Sequence, residues 1–321
     1  MNNTEYIKAF TKESKKLGDS FRNLLHLYAI GSQRKATGSQ KAKARIVKDT
    51  LLQKAKVLKK ELQKITEQWV NDSIPKAAQR GYKQAMIEIE QIEAYAIKKS
   101  VKSPVKTSFT AKFGGIQKET TALLIQDSLI KSNSYLKTIA DSVNMSLRKA
   151  SLIASKDALL SEQLAVGRIQ GETVRQLQRR IYNNLDITRD NRVLLINGNS
   201  WDAQSYANTF ARTRTAEVAD KALEESAKSA GFTLFQISRH SLKYPHDIYC
   251  TTLQGRIFAT NKNEYGFKKI TDVIMFTKKG RRVRGKWPPF HPNCRHSRSI
   301  VNTLAYTDSE LKSLARNSRS V

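Results

Sequence analysis

Residues 226–238 read Ser-Ala-Lys-Ser-Ala-Gly-Phe-Thr-Leu-Phe-Gln-Ile-Ser, and the character of the chain changes inside this stretch. Up to Ala230 the residues are small, polar and helix-compatible. Gly231 is the residue type that closes a helix, because it adopts a left-handed backbone without steric cost. Phe232-Thr-Leu-Phe-Gln-Ile-Ser is then rich in β-branched and aromatic side chains, as strands are. The same texture returns at Arg256-Ile-Phe, at Asp272-Val-Ile-Met-Phe and at Ser299-Ile-Val, and Asp308–Arg316 reads as a short closing helix. The expected fold is therefore mainly α with a small C-terminal α+β module: long amphipathic helices followed by a Cys/His-rich, β-containing domain.

Upstream of the boundary, helices dominate. Residues 4–30 carry an apolar face through Ile7, Phe10, Leu17, Phe21, Leu24, Leu25 and Tyr28, ended by Gly31-Ser-Gln-Arg-Lys-Ala-Thr-Gly38. From Gln40 to Asn71, Val47, Leu51, Ala55, Leu58, Leu62, Ile65 and Trp69 recur every three or four residues, the stripe of a helix packed on a neighbour. Ser73 with Pro75 predicts a new helix start, since proline is tolerated in a first turn; that helix runs to about Lys99. Ser100-Val-Lys-Ser-Pro-Val-Lys-Thr-Ser is a linker, and Gly114-Gly115 a turn. One helix is expected over 116–165, with Leu123, Leu124, Ile130, Leu136, Ile139, Val143 and Leu147 as its apolar positions. Gly167 and Gly171 frame a break before a basic helix Glu172–Asn184, and the last helix covers about Ser200–Ala230. The expected division is a basic helical region at 1–100, a helical body at 101–230, the module at 232–305 and a tail at 306–321.

Lys plus Arg number 57 against 28 Asp plus Glu, a formal charge of +29. This far exceeds what solubility needs and opposes compaction unless a polyanion neutralises it. No apolar run approaches the roughly 20 residues of a membrane span. The first residues, Met-Asn-Asn-Thr-Glu-Tyr-Ile-Lys, carry charge where a signal peptide would be apolar, so synthesis in a cytoplasm is expected. Double-stranded DNA, contacted through its phosphates and without regard to sequence, is the expected polyanion. Lys278, Lys279, Arg281, Arg282, Arg284 and Lys286, in and beside a tight basic turn, are the candidate contacts.

Four of the five histidines and both cysteines fall between positions 240 and 296. They form two knots, His240, His246 and Cys250 in one and His291, Cys294 and His296 in the other. Thiolate and imidazole are the usual zinc donors, and structural sites draw ligands from two separate turns. The expected ligands are Cys250, Cys294 and His296, with His246 or His291 as the fourth and Asp247 and His240 in reserve. A set made only of protein ligands leaves no water to activate, which points to a structural and not a catalytic ion. Two other readings stay open: a Cys250–Cys294 disulfide, which a reducing cytoplasm disfavours, and residues with no shared role.

Three stretches carry a resemblance. Tyr206-Ala-Asn-Thr-Phe-Ala-Arg-Thr-Arg-Thr-Ala-Glu resembles an Ala-Arg-Thr-Glu-type helix. Gly231 and its strand lead through Ser238-Arg-His240 to Cys250-Thr-Thr-Leu-Gln-Gly255-Arg-Ile-Phe. Pro288-Pro-Phe-His-Pro-Asn-Cys-Arg-His296 is similar to a His-Pro-Asn-Cys-Arg-Cys/His signature. Together they resemble the phage head-morphogenesis (Mu F-like) minor head proteins and the related minor capsid protein 2 group. The chain departs from that pattern in having Arg214 at the helix Glu, Asp247 where many relatives have a first Cys, and His296 where others have Cys. The resemblance implies a structural virion protein inside the phage head, assembled in the host cytoplasm at or near the portal. Its partners would be portal and capsid proteins, and it would contact packaged DNA or be ejected with it. It implies no catalytic residue. The competing functions are a metal-dependent nuclease built on His291, Asn293 and His296, and a sequence-independent DNA-binding protein of the nucleoid type.

Overall fold

The computed structural model describes residues 1–32, 36–106, 109–164, 194–196, 199–240, 248–261, 263, 265–277, 280–290 and 294–319. The chain forms two compact units, each assembled from two separate stretches: Met1–Val70 with Asp127–Asn208, and Asn71–Gln126 with Thr209–Val321. The expected helix Glu172–Asn184 lies outside the described residues.

The first unit is helical. Helix α1 (Asn3–Gly31) starts at Asn2, whose side chain accepts from Glu5 N while the Glu5 carboxylate accepts from Asn2 N, a reciprocal capping box. Its buried face is Tyr6, Phe10, Leu17, Phe21, Leu25 and Ala29. Helix α2 (Gly38–Lys98) contributes its first half to this unit. The predicted stripe is buried at Val47, Leu51, Ala55, Leu58, Leu62 and Trp69, but Thr66 replaces Ile65 in the interior. A straight helix has 3.6 residues per turn, so a heptad-like stripe drifts along it; the buried Thr66 hydroxyl is satisfied by donating to Leu62 O at 2.7 Å. Tyr6 stacks on Trp69 with centroids 4.9 Å apart, and the Trp69 indole donates to Asn3 Oδ1 at 2.9 Å.

Helices α3 (Phe109–Leu136) and α4 (Ile139–Leu164) stand where one helix was expected. The break is the turn at Lys137-Thr138, where Thr138 donates both its N–H and its hydroxyl back to Tyr135 O. Leu136, Ile139, Val143 and Leu147 are buried as expected, whereas Leu123 and Ile130 are exposed. Ser128 and Ser132 take the inward positions of α3 instead. Gly114 and Gly115 lie inside α3 and form no turn. A glycine weakens a helix without ending it. A two-stranded hairpin, β1 (Leu194–Ile196) with β2 (Asn199–Trp201), precedes the next helix.

That helix, α5 (Ala203–Ala230), begins at Asp202, whose carboxylate accepts from Ser205 N at 2.8 Å, and ends at Gly231 with φ +104°. From Thr209 onward it belongs to the second unit, as does α2 from Asn71. Helix α2 does not restart at Pro75 but continues through it. The hydrogen bond that proline cannot donate is offset by burial of Ile74, Ala77 and Ala78 around it. In this unit α2 and α5 approach closely: a Cβ on Gly81 would overlap Ala219 O.

The sheet is small. Strand β3 (Leu234–Ile237) is central, antiparallel to β4 (Ile257–Ala259) on one side and to β7 (Arg298–Ile300) on the other. Phe235 pairs with Phe258 and with Ile300. A separate antiparallel hairpin joins β5 (Ile274–Phe276) to β6 (Arg282–Arg284). Helix α6 (Ile248–Leu253) packs Cys250 and Leu253 against Ile237, Phe258 and Phe290. Closing helix α7 (Asp308–Arg319) buries Leu311 and Ala315 against Leu234, Ile257 and Val301. Ala85, Ile89 and Ile92 of α2, Leu223 and Ala227 of α5, and Phe232, Phe235 and Ile300 form one apolar cluster under the sheet. The mainly α architecture with a small C-terminal α+β region is as the sequence indicates.

Candidate metal centre and basic hairpin

Two elements supply the metal donors. Cys250 sits on the single turn-and-a-half of α6 and is buried, 1% exposed. Cys294 and His296 lie on the segment running into β7, which pairing with β3 fixes: Ser238 N donates to Ser297 O at 2.9 Å, and Ser297 N to the Ser238 hydroxyl at 3.0 Å. The donor atoms of Cys250, Cys294 and His296 all lie within 4.8 Å of one another. The two ring nitrogens of His296 have different surroundings. Its Nδ1 is 3.5 Å from Cys294 Sγ, and its Nε2 is 3.4 Å from Gln254 Oε1. An imidazole protonated on Nε2 would donate to that amide oxygen and leave the Nδ1 lone pair facing the thiols. This is how outer hydrogen bonds usually orient a metal-ligating histidine.

Two thiols and one imidazole on two different segments fit a zinc ion chemically. His246, His291 and Asp247 lie outside the described residues. His240 is adjacent but not among the three: its ring packs edge-on against His296 at 5.0 Å, and its Nε2 is 3.1 Å from the Ser238 hydroxyl. The chain continues from His296 into strand β7, not a helix.

Two positions singled out in the sequence are placed elsewhere. Arg214, at the family's Glu, is buried on α5 and paired with Glu217. Of the basic residues, Arg281, Arg282 and Arg284 are exposed on the β5–β6 hairpin, while Lys278 and Lys279 lie outside the described residues. Lys286 has an inward use, since its ammonium donates to Phe290 O and lies 4.7 Å from the Tyr249 ring centroid.

The charged group that the sequence did not announce is Arg298. Its side chain is fully buried and bonds Asp220 Oδ2 at 2.6 Å and Glu224 Oε2 at 2.7 Å, with Cζ 4.6 Å from the Trp287 ring centroid. Lys221 and Lys228 also reach Glu224. Burial pushes the Asp220 carboxyl up to about 6. Burial opposes the ionised form of Glu224 as well, but Arg298, Lys221 and Lys228 outweigh it and hold that carboxyl down at about 2. Glu88 of α2 accepts from Ile300 N at 2.7 Å, occupying a backbone donor of edge strand β7. Arg298 sits between two serines at the start of β7, and its partners 78 and 74 residues away leave no periodic trace in the sequence.

Long helices, a small β-containing C-terminal region and a buried ion cluster around Arg298 make up the described architecture. The model of the phage minor capsid protein 2 family matches residues 26–319, and the chain belongs to that family. It is thus a structural phage protein of the minor capsid class. No curated protein and no solved structure matches it. Among the described residues, no helix is long and apolar enough to cross a membrane.

Proposed function

We propose that this minor capsid protein serves in head assembly at or near the portal, after synthesis in the host cytoplasm, and presents its basic surface to packaged DNA inside the head. The observation that carries the DNA contact is the β5–β6 ribbon. It exposes Arg281, Arg282 and Arg284, and the sequence from Ile274 to Arg284 contains no acidic residue. A ribbon of this kind supplies phosphate contacts that position a protein on a duplex without reading bases. Lys278 and Lys279 belong to the same basic run. Mass spectrometry of purified particles, before and after DNA release, tests the placement. The protein is expected in full particles together with portal and capsid proteins, and its presence or loss after release tells whether it leaves with the genome. Absence from full particles would refute the placement. Duplex binding by the full chain should fall steeply with salt. Neutralising Arg281, Arg282 and Arg284 should lower the slope of log affinity against log salt by roughly one for each phosphate no longer neutralised.

The Cys250, Cys294 and His296 donors support a structural zinc site, with His246 or His291 as its fourth ligand. Zinc bound there would supply a cross-link between the two segments and no reaction chemistry. The chain's own residues do the rest: α6 presents one thiolate, the segment before β7 presents the other two donors, and Gln254 orients the imidazole. Chelation of the full chain is expected to lower its melting temperature by about 5–10 °C, and zinc to restore it. A melting temperature indifferent to chelator defeats the zinc assignment and leaves the DNA contact standing. The nuclease alternative predicts plasmid nicking with added magnesium or zinc that His291→Ala abolishes.

A further inference from the structure

We infer that the C-terminal module carries a second, separate ligand site: a cleft of about 580 Å³ formed by Arg239, His240, Thr251, Thr252, Gln254 and Arg256, built to hold a phosphate group. The inference does not rest on the hairpin, which contributes nothing to this cleft. Nor does it need a bound metal.

The two arginines are brought together by the sheet. Ile237 N donates to Arg256 O at 3.0 Å and Gly255 N to Ile237 O at 2.8 Å, so the end of β3 and the start of β4 are tied side by side. Arg239 follows one strand and Arg256 precedes the other. Between them Gly255 adopts φ +73°, and a Cβ there would overlap Arg239 Cγ, Cδ and Nε. Gly255 therefore serves two needs, a left-handed turn and the bare backbone over which the Arg239 side chain lies. His240 is fixed by the Ser238 hydroxyl and by its own N–H, which donates to Gln254 Oε1 at 3.3 Å. Thr252 adds a hydroxyl from α6, whereas the Thr251 hydroxyl donates within the helix to Ile248 O at 3.2 Å.

The chemistry of this lining is one-sided. It carries two guanidiniums, an imidazole, the Thr252 hydroxyl and an amide, and none of its described residues is acidic. Guanidinium forks match the oxygen spacing of phosphate bidentately, and such charge-assisted bonds are the strong ones. A phosphate has enough oxygens to engage two guanidiniums and a hydroxyl at once, which a carboxylate does not. The ligand is a phosphate group, either a diester of the DNA backbone or a free phosphate or monoester. Gln254 also faces His296 Nε2, so the cleft shares a wall with the Cys/His knot.

The test is calorimetry on the full chain, titrated with inorganic phosphate at constant ionic strength. One saturable site per chain is expected. Arg239→Gln and Arg256→Gln should each weaken it about tenfold or more, as removal of a charge-assisted bond does. The triple variant R281Q/R282Q/R284Q should leave it within about twofold. Gly255→Ala, which removes no charge but fills the space under Arg239, should also weaken it; thermal melts identify any variant that has simply unfolded, and Arg239→Lys then stands in with partial retention. Heat without saturation, or binding equally reduced by the hairpin variant, or unchanged in both arginine variants, overturns the inference. A second arm separates the sources. If the natural ligand is a backbone diester, phosphate competes with a short duplex and the competition disappears in Arg239→Gln. If it is a free phosphate or monoester, duplex binding is unmoved while the phosphate site remains.

Discussion

At the scale of single residues, Arg298 and its two carboxylates set the pH response of the second unit. An arginine this deeply buried requires a counter-charge, and removing one partner of a buried pair is costly while the pair itself adds little net stability. The two acids differ in which form the fold prefers. The folded value of Asp220 is raised from 3.8 to about 6, so its contribution is complete on the acid side and fades as pH rises through 6. Glu224 is lowered from 4.5 to about 2, so its contribution is complete above 4.5 and fades as pH falls toward 2. At neutral pH the ionised Glu224 is therefore the partner that matters. Asp220→Asn is expected to change stability by less than about 1 kcal/mol at pH 7 and to flatten the decline between about pH 4 and 6. Glu224→Gln also strips Lys221 of its partner, leaves Lys228 only Glu225, and should cost about 2–3 kcal/mol, less than leaving Arg298 wholly unpaired because Asp220, at about 6, is ionised at pH 7. Urea unfolding of both variants from pH 4 to 8 decides it; an Asp220 variant as unstable as the Glu224 variant would refute the assignment.

At the scale of elements, what was legible in the sequence was whatever is enforced locally. The stop at Gly231 and the strand texture after it act within a few residues, and the structure keeps them. The order of Cys250, Cys294 and His296 was legible too, because a knot of donors marks itself by residue type. Misreadings came where a residue type permits a break without requiring one. Pro75 looks like a helix start, but buried Ile74, Ala77 and Ala78 carry α2 through it. Gly114-Gly115 looks like a turn, yet lies in α3 with open space where each Cβ would be. Gly81, which no pattern marks, is the glycine that packing requires. These three glycines yield opposite expectations in the same experiment. Gly114→Ala and Gly115→Ala should each stabilise by about 0.5–1 kcal/mol through helix propensity and a less flexible unfolded chain. Gly81→Ala must push α2 away from Ala219 and should destabilise by about 1–3 kcal/mol. Thermal melts of the three single variants test this, and a stabilising Gly81→Ala would rule out the close approach of α2 and α5.

At the scale of the whole molecule, the +29 charge determines how stability responds to salt, with a sign that depends on the partner. Alone, the chain repels itself, so added salt screens the repulsion and should raise the melting temperature from about 20 mM to 500 mM chloride. The buried Arg298 cluster is shielded from ions and does not reverse this trend. With duplex DNA present at low salt, phosphates neutralise the same charges, and a ligand that binds only the folded state adds stability as its concentration exceeds the dissociation constant. Salt now weakens that binding through counterion release, so the same increase should lower the melting temperature of the complex. The two curves should converge near the salt at which binding is lost. Neutral crowding agents should reproduce neither. Curves that rise in parallel with and without DNA would mean that the charge is merely solvated and would leave the polyanion reading without support.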